Sequence, residues 1–442
     1  MTMLTRRRFG LLSGAAGLSA AGASTLSTFA IAQAAARVVV VGGGAGGATA
    51  AHLLKKGDPK LDVTLIEAKP TYSTSFFSNL YIGGVRDFAS LSHGYGDLRK
   101  LGIKVVHDLA TGVDPAKKVV STRGGGSFAY DRLVLSPGID IKYDSVPGYS
   151  KALSEIYPHA YQTNAVGKQQ LMGAISGMKD GGTFLMVMPN NPYRCPPGPY
   201  ERACMIAHHL KTKKPKSKLV ILDPKKAFSK QPVFLEGIEK HYKSIVEMNL
   251  TTDIDDFSVT AFDAKVREVT TKAGKKVKFD AANVIPNQRA GEIAMKAGVT
   301  SGDWVPVNPD NFQSKANKDI YVLGDATVAA EMPKSAFSAN SQAKVVVADV
   351  LADLSKKERF PARYRNTCWS LIAPDDCIKV GANYAPKDGK LDPSGGFVSQ
   401  KGETAEVRKQ NFAESVDWYN SIVAEMFAKP PAPAAKPPAK KA

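Results

Sequence analysis

Four cysteines are the side chains of this 442-residue sequence best suited to redox chemistry: Cys195, Cys204, Cys368 and Cys377. Thiolates attack disulfides, and paired cysteines exchange two electrons as a dithiol and a disulfide. In an oxidising compartment these four allow three full pairings. The sequence has no Cys-x-x-Cys-His run for c-type haem, and the spacing lacks the clustered ligands of a zinc site. We therefore expect no metal.

Cys195 stands in the stretch NNPYRCPPGPYERAC, between a buried-strand pattern, GGTFLMVMP, and a helix-like run, YERACMIAHHLK. A glycine-rich phosphate loop is typical of this junction in nucleotide-binding domains. Here Pro196, Pro197 and Pro199 occupy the loop. Proline has no amide donor and a fixed φ, so the loop is poorly suited to a pyrophosphate. The pattern predicts a second dinucleotide-type domain that has lost its phosphate loop, which argues against a nicotinamide donor.

An intact phosphate loop follows residue 36, in ARVVVVGGGAGGATAAHLLKK. Gly42, Gly44 and Gly47 form Gly-x-Gly-x-x-Gly between a buried strand and a helix, and a second strand ends at Glu67. The glycines permit a tight turn and a close approach to a pyrophosphate at the helix N-terminus, and the glutamate accepts hydrogen bonds from ribose hydroxyls. Because all these parts are in register, the segment predicts a dinucleotide site rather than an ordinary strand–helix turn.

Two later segments favour a flavin over a nicotinamide nucleotide. YDRLVLSPG ends a strand at Gly138, and NKDIYVLGDATVAA ends a strand at Gly324 and Asp325, before a predicted helix. For Asp325 alone a helix cap is the ordinary alternative, but together with the other segments a contact with the cofactor is favoured. The order of segments resembles that of flavoproteins with two dinucleotide-type domains, such as the disulfide reductases. That resemblance implies FAD, in a domain that the second dinucleotide-type domain divides.

Four runs resemble the flavoprotein subunit of flavocytochrome c sulfide dehydrogenase: SNLYIGG, RCPPGPYERA, MPKSAFSANSQAK and NTCWSLIAP. The similarity extends from about residue 37 to residue 427. It implies a redox-active disulfide of Cys195 and Cys368 beside the flavin, and it matches Glu201 to an active-site acid or base. A surface glutamate in the first turn of a helix explains Glu201 equally well, and a structural disulfide is the ordinary alternative for the cysteines.

The resemblance also implies a mechanism and a partner. Hydrosulfide attacks the disulfide, one cysteine becomes a persulfide and the other a thiolate, and electrons pass through FAD to a haem on a separate c-type cytochrome subunit, in a heterodimer. We place Cys368 nearer the flavin and Cys195 nearer the entering sulfide. Cys204 is expected to pack in the core.

Ser75 departs from the family pattern. Well-characterised members attach FAD covalently through a cysteine in the loop before SNxxIGG, and Ser75 occupies that place. A hydroxyl is far less nucleophilic than a thiolate, so we expect non-covalent FAD. The same motifs place Ser75, Asn79 and Ser338 among the residues expected to contact the cofactor.

The termini indicate where the protein acts. Arg6 and Arg7, followed by Phe9, a short apolar run and a small-residue site near Ala32, predict a twin-arginine signal for export to the periplasm. An N-terminal membrane anchor is the alternative. The formal net charge is +18, part of it in the signal and in a Pro/Ala/Lys-rich tail. The remaining positive charge suits an acidic partner, whereas nucleic acid is not expected. We expect no membrane-spanning segment after the signal.

The predicted fold class is α/β, with two Rossmann-like dinucleotide-binding-type domains, of which the FAD domain is discontinuous, and a C-terminal flavin- and partner-interface domain. The predicted boundaries are the signal at 1–32, the FAD domain at 36–150 and 286–350, the second domain at 151–285, the interface domain at 351–428 and the tail at 429–442.

The nearest alternative function is a sulfide:quinone reductase, with the same disulfide and flavin but a membrane quinone as acceptor. A second alternative is a flavoprotein redox partner or maturation factor of a sulfur-oxidising system, and a third is a catalytically silent flavoprotein.

Overall fold

The computed structural model describes residues 35–162, 165–252 and 256–430. The predicted signal and residues 431–442 of the predicted tail lie outside this part of the chain. The α-helices within it are α1 Gly47–Gly57, α2 Ser78–Ile82, α3 Gly96–Lys100, α4 Val166–Gly177, α5 Gly198–Lys213, α6 Gln231–Tyr242, α7 Glu292–Lys296, α8 Ala336–Ser355 and α9 Ala405–Phe427.

The strands of the first half of the chain are β1 Arg37–Val41, β2 Asp62–Ile66, β3 Thr71–Ser73, β4 Ser92–Gly94, β5 Lys104–Val106, β6 Ala110–Asp114, β7 Val119–Thr122, β8 Ser127–Ala129, β9 Arg132–Leu135, β10 Ile139–Lys142, β11 Thr183–Val187 and β12 Lys218–Asp223. Those that follow are β13 Val246–Leu250, β14 Val259–Asp263, β15 Glu268–Thr271, β16 Lys276–Lys278, β17 Ala281–Val284, β18 Asn287–Ala290, β19 Val305–Pro306, β20 Gln313–Ser314, β21 Asn317–Val322, β22 Thr327–Val328, β23 Tyr364–Ala373, β24 Asp376–Lys387 and β25 Lys390–Val398.

The first sheet carries the intact phosphate loop. Its strand order is β20-β21-β9-β1-β2-β5, and all pairs except β20–β21 are parallel. β1 is a run of valines buried over its last four residues, as expected of a strand covered on both faces. α1 packs against α8 beside this sheet. β21 comes from far along the chain, and its parallel pairing with β9 places the ends of these two strands side by side.

The second sheet belongs to the domain that carries Cys195. Its order is β13-β12-β11-β17, all parallel, and α5 connects β11 to β12. The antiparallel strands β14, β15 and β16 lie between β13 and β17 in the chain. Ligands bind beyond the carboxyl ends of such parallel strands, so the loop after β11 occupies a typical binding position.

The C-terminal part is an antiparallel sheet of β23, β24 and β25. α8 packs against β23 and α9 against β24, while α5 of the second domain also packs against β23. β23 therefore lies between the two dinucleotide-type parts and places Cys368 close to both. The predicted fold class is confirmed, whereas the domain boundaries remain predictions.

The described residues contain no helix long and apolar enough to cross a membrane.

Candidate functional site

The turn from β1 into α1 is closed by glycines, two of which have no room for a side chain. A Cβ on Gly42, whose φ is +99°, would lie 2.3 Å from the carbonyl oxygen of Ser136, and a Cβ on Gly47 would lie 1.9 Å from the carbonyl oxygen of Gly42. A Cβ on Gly44 would meet the ring of Tyr72 at 3.4 Å. Gly42 and Gly47 are therefore needed for the shape of the turn, whereas a side chain at Gly44 would extend toward the ring of Tyr72.

Glu67 reaches this turn from the end of β2. Its carboxylate accepts hydrogen bonds from the backbone N–H of Gly43 at 2.7 Å and of Lys69 at 3.1 Å. A carboxylate has about four acceptor sites, so it keeps capacity for ribose hydroxyls. The position of Glu67 agrees with the role predicted for it.

A cavity runs from the glycine turn to the loop that carries Cys195. Two of the predicted cofactor residues do not line this cavity: Gly47, which lies behind the turn, and Ser338. Ser338 is buried in α8, where its hydroxyl hydrogen-bonds to Ser335 and Asn366. The predicted residues that do line the cavity are Gly42, Gly44, Glu67, Ser75, Asn79, Gly138, Cys195, Glu201, Gly324 and Asp325.

Asp325 lies at the end of β21, opposite the N-terminus of α8. The cap of α8 is Ser335, whose hydroxyl accepts the N–H of Ser338, so Asp325 is not the cap of this helix. One carboxylate oxygen of Asp325 accepts a 2.6 Å bond from Nε of Arg194. Its other oxygen is buried without a hydrogen-bond partner among the described residues. An unpartnered carboxylate oxygen in a cavity wall is costly, so it points to a ligand there.

Further cavity residues fit a flavin dinucleotide. The hydroxyl of Ser75 is also buried and unpartnered within the described structure. Gly138 has a φ of +67°, and Gly324 has a φ of +78°. The residues Ser335, Ala336 and Ala339 of the α8 N-terminus line the same cavity, and a helix N-terminus favours negative charge. The glycine turn with Glu67 would hold the nucleotide half, and Asp325 with α8 would face the flavin half.

The second phosphate-loop position is closed. The backbone N–H groups of Asn190, Arg194 and Cys195 are bonded to Oδ1 of Asn287, Oε1 of Gln288 and the carbonyl of Lys334. Asp223, at the end of β12 where a ribose ligand would lie, is fully buried and bonded to Tyr200 and Lys225. The protein itself uses these groups, which supports the prediction that this domain binds no nicotinamide nucleotide.

The loop holds Cys195 in a strained conformation. Its φ is +57°, in the left-handed region that costs a non-glycine residue roughly 1–2 kcal/mol. The N–H of Cys195 donates to Lys334, and its carbonyl accepts the N–H of Gly198, both at 2.7 Å. Strain of this kind persists where the surroundings fix the backbone, often at functional sites. Cys195 is thus presented by a rigid turn at the start of α5.

Cys195 and Cys368 line a second, aromatic cavity that shares walls with the first. Both cysteines are free thiols here. Cys195, Glu201, Ser335 and Ala336 line both cavities, whereas Cys368 lines only the second. The expected order, with Cys368 nearer the flavin, gains no support from this arrangement. The aromatic residues of the second cavity are Phe76, Phe77, Phe337, Phe412, Trp369 and Trp418.

Glu201 is partly buried and lines both cavities, which argues against the interpretation as a surface residue. β23 covers the first turn of α5, and the N–H of Leu371 donates to Glu201 at 2.8 Å. Nδ2 of Asn79 donates to its other oxygen at 2.7 Å and also to the carbonyl of Gly198. Burial raises the pKa of Glu201, although these two hydrogen bonds oppose the rise. A carboxyl group whose pKa is raised by burial is a candidate general acid or base.

Two buried cations near the cysteines were not predicted. Lys230, in a left-handed conformation, donates from Nζ to the carbonyl of Cys368 at 3.2 Å and to the hydroxyl of Ser370 at 2.8 Å. Burial lowers the pKa of Lys230, while the neighbouring cysteines oppose this.

Arg202 donates to Oδ1 of Asn79 and to the carbonyl of His159. Arg194 and Arg202 flank residues singled out in the sequence, but no pattern indicates Lys230.

Cys204 and Cys377 are both buried, with 1% of each side chain exposed. Cys204 lines neither cavity and packs in the core, as expected, while Cys377 lies in the wall of the second cavity. Among the described residues, no group of three or more histidine, cysteine or acidic side chains is arranged to hold a metal ion.

Three family models match parts of the chain. Residues 168–286 match the central region of the sulfide dehydrogenase (flavocytochrome c) flavoprotein chain, and residues 360–427 match the flavin-binding region of flavocytochrome c sulphide dehydrogenase. Residues 36–172 match the pyridine nucleotide-disulphide oxidoreductases. The first two matches contain Cys195 and Cys368, respectively.

Individual relatives agree with these matches. The mitochondrial sulfide:quinone oxidoreductase of Dictyostelium discoideum is 23% identical over 312 residues, which cover 68% of this chain and 67% of that protein. The structure of the sulfide:quinone oxidoreductase of Aquifex aeolicus has a TM-score of 0.67 at 18% identity, covering 90% of this chain and 93% of that one. A ferredoxin reductase from Rhodopseudomonas palustris has a TM-score of 0.61 at 16% identity, covering 81% and 90%.

These likenesses agree with the fold, and the flavin-binding match together with the cavity residues identifies the cofactor as FAD. In its central and flavin-binding regions the chain thus matches the flavoprotein chain of flavocytochrome c sulfide dehydrogenase, a family of FAD-dependent, sulfide-oxidising flavoproteins.

Proposed function

We propose that this chain is a periplasmic sulfide dehydrogenase. It oxidises hydrosulfide to zero-valent sulfur through a Cys195–Cys368 disulfide and non-covalent FAD, and passes electrons to a separate c-type cytochrome subunit. The observation that carries this proposal is the pair of cysteines, from two distant parts of the chain, in a cavity that shares walls with the dinucleotide cavity.

The chemistry begins with the disulfide form of the pair. Hydrosulfide attacks Sγ of Cys195, a new S–S bond forms there as a persulfide, and the electron pair of the broken bond goes to Cys368 as a thiolate. When the Cys195–Cys368 bond forms again, the outer persulfide sulfur leaves in the zero-valent state, and one proton and two electrons are released, the electrons to the flavin. FAD, when bound, accepts two electrons and releases them singly.

Glu201 is the proposed proton acceptor. It lines both cavities, so it can take the proton from hydrogen sulfide or from the persulfide. Its raised pKa places it closer to working pH than an exposed glutamate, which is what a general base requires.

The test compares sulfide-dependent loss of the oxidised flavin spectrum, without oxygen, in the wild type and in single variants. Cys195→Ser and Cys368→Ser should remove the reduction, whereas Cys204→Ala, at a buried cysteine outside both cavities, should keep it. Reduction at the wild-type rate in both serine variants would mean that the bridge is structural.

A quinone acceptor is the second candidate. The aromatic walls of the second cavity suit a flat apolar ring, and two relatives carry the name sulfide:quinone oxidoreductase. Turnover with cytochrome c but not with decylubiquinone supports the cytochrome partner, and the reverse supports the quinone. If sulfide fails to reduce the flavin but a protein dithiol does, the chain is a redox partner or maturation factor instead.

The periplasmic location rests on the twin arginine, Arg6 and Arg7, and on the small-residue site near Ala32. Replacing both arginines with lysine should retain the protein in the cytoplasm, as measured by cell fractionation. Export of this variant at the wild-type level would contradict the proposed route.

A further inference from the structure

We propose that Asn366 is a positioning residue that donates its amide N–H to Sγ of Cys368 and thereby favours the thiolate form of this sulfur. The inference rests on the proposed function for the step that it serves, in which Cys368 is the sulfur that leaves the disulfide.

The strand β23 aligns the residues concerned. Asn366, Cys368 and Ser370 alternate along β23 and therefore share one face of the sheet. Asn366 is 2% exposed and Ser370 is 1% exposed. Lys230 bonds to Ser370 on one side of Cys368, and Asn366 lies on the other side. The sulfur is thus flanked along the strand by two buried polar contacts.

The distances favour one orientation of the Asn366 amide. One amide atom lies 2.6 Å from the hydroxyl of Ser335, 3.2 Å from that of Ser338 and 3.7 Å from Sγ of Cys368, and the other lies 3.5 Å from the same sulfur. A separation of 2.6 Å is typical of O–H···O and short for N–H···O. The atom facing the serines is therefore Oδ1, and Nδ2 faces the sulfur.

The capping of α8 fixes this orientation further. The hydroxyl oxygen of Ser335 already accepts the N–H of Ser338 at 3.0 Å, so its proton is available for Oδ1 of Asn366. Since two hydroxyls converge on that oxygen, turning the amide over would place Nδ2 against both of them. The helix cap and the amide are coupled in one buried network, which explains the position of Ser338 behind the cavity wall.

The surroundings make Cys368 the easier of the two thiols to ionise. Burial raises the pKa of Cys368, but Lys230, Asn366 and Ser335 oppose the rise. Burial raises the pKa of Cys195 well above its usual value, and Cys368 and Glu201 add to that rise. Because a thiolate accepts hydrogen bonds better than a thiol, the donor at Asn366 favours the charged form.

This contact serves one defined step. When hydrosulfide forms the new S–S bond on Cys195, the electron pair of the old bond passes to Cys368, and a sulfur with a lower pKa leaves faster. The N–H of Asn366 stabilises the charge that appears on Sγ, while Lys230 stabilises it from the other side. Asn366 itself transfers no proton.

The test measures the thiol pKa of Cys368 in the reduced full-length protein, from the pH dependence of alkylation by iodoacetamide, with the modified cysteine identified by mass spectrometry. Asn366→Leu removes the donor and the oxygen without adding charge, whereas Asn366→Asp keeps the oxygen for the serines but replaces the donor with a carboxylate, whose negative charge also disfavours the thiolate. Each should raise the pKa of Cys368 by about one unit or more, which slows alkylation below that pKa about tenfold.

Two further variants separate positioning from general damage. Ser338→Ala keeps the helix cap but removes one of the two hydroxyls that hold Oδ1 of Asn366. It should therefore raise the pKa of Cys368 by a smaller amount than the Asn366 variants do. Asn411→Leu is the matched control, since Asn411 is 1% exposed and donates to the carbonyl of Cys377 rather than to a thiol. It should leave the pKa of Cys368 unchanged.

The inference is overturned if Asn366→Leu and Ser338→Ala both alkylate as the wild type does, or if Asn411→Leu shifts the pKa of Cys368 as much as Asn366→Leu does. The readout needs no sulfide. Failure of sulfide to reduce the wild-type flavin would therefore refute the proposed function without changing this result.

Discussion

Replacing Gly47 with alanine tests whether the β1–α1 turn holds FAD. The added Cβ would lie 1.9 Å from the carbonyl oxygen of Gly42, where ordinary contacts lie at 3.4–4 Å, so the backbone must move by more than an ångström. Overpacking of this kind costs roughly 1–3 kcal/mol. If this cost falls on the conformation that binds FAD, affinity should drop about 5- to 150-fold, at roughly 1.4 kcal/mol per tenfold.

The assay is the dissociation constant of FAD from the apoprotein, followed by flavin fluorescence. Gly173→Ala is the matched control, because Gly173 lies within α4 and a Cβ there meets nothing within 4 Å. The control should bind FAD as the wild type does and gain roughly 0.5–1 kcal/mol of stability. Wild-type affinity in Gly47→Ala would refute the assignment of this turn to the cofactor.

Two further predictions concern Glu201 and Ser75. If Glu201 is the base, the rate of flavin reduction by sulfide should fall as the pH drops below the raised pKa of Glu201. Glu201→Gln should lose this fall at acidic pH and should react about 10²-fold or more slowly than the wild type at neutral pH. A variant with the wild-type profile would assign Glu201 a structural role. Acid precipitation should release all FAD into the supernatant, because Ser75 cannot form the thioether, and a yellow pellet would contradict non-covalent binding.

Local patterns were sufficient for the frame of the site. The valine run Arg37–Val41 and the helix Gly47–Gly57 are where the sequence places them, since the strand pattern and the glycine spacing lie within a few residues. The strand Thr183–Val187 and the helix Gly198–Lys213 on either side of the Cys195 loop follow for the same reason.

The environment of each side chain depends on distant contacts that spacing does not encode. Glu201 is partly enclosed because the N–H of Leu371, 170 residues later, hydrogen-bonds to its carboxylate. Lys230 is 138 residues from the Cys368 carbonyl that it contacts, and Ser335 is 31 residues from Asn366. Ser338 lies behind the cavity wall rather than in it, since the helix N-terminus turns its hydroxyl toward β23. These contacts become visible only once β23 is placed between the two dinucleotide-type parts.

Anaerobic titration of the FAD-loaded wild type with sulfide tests the central claim most directly. The visible spectrum of oxidised flavin should disappear on adding sulfide, and the same titration of Cys368→Ser should leave it intact. A wild-type flavin that stays oxidised in excess sulfide would contradict the account.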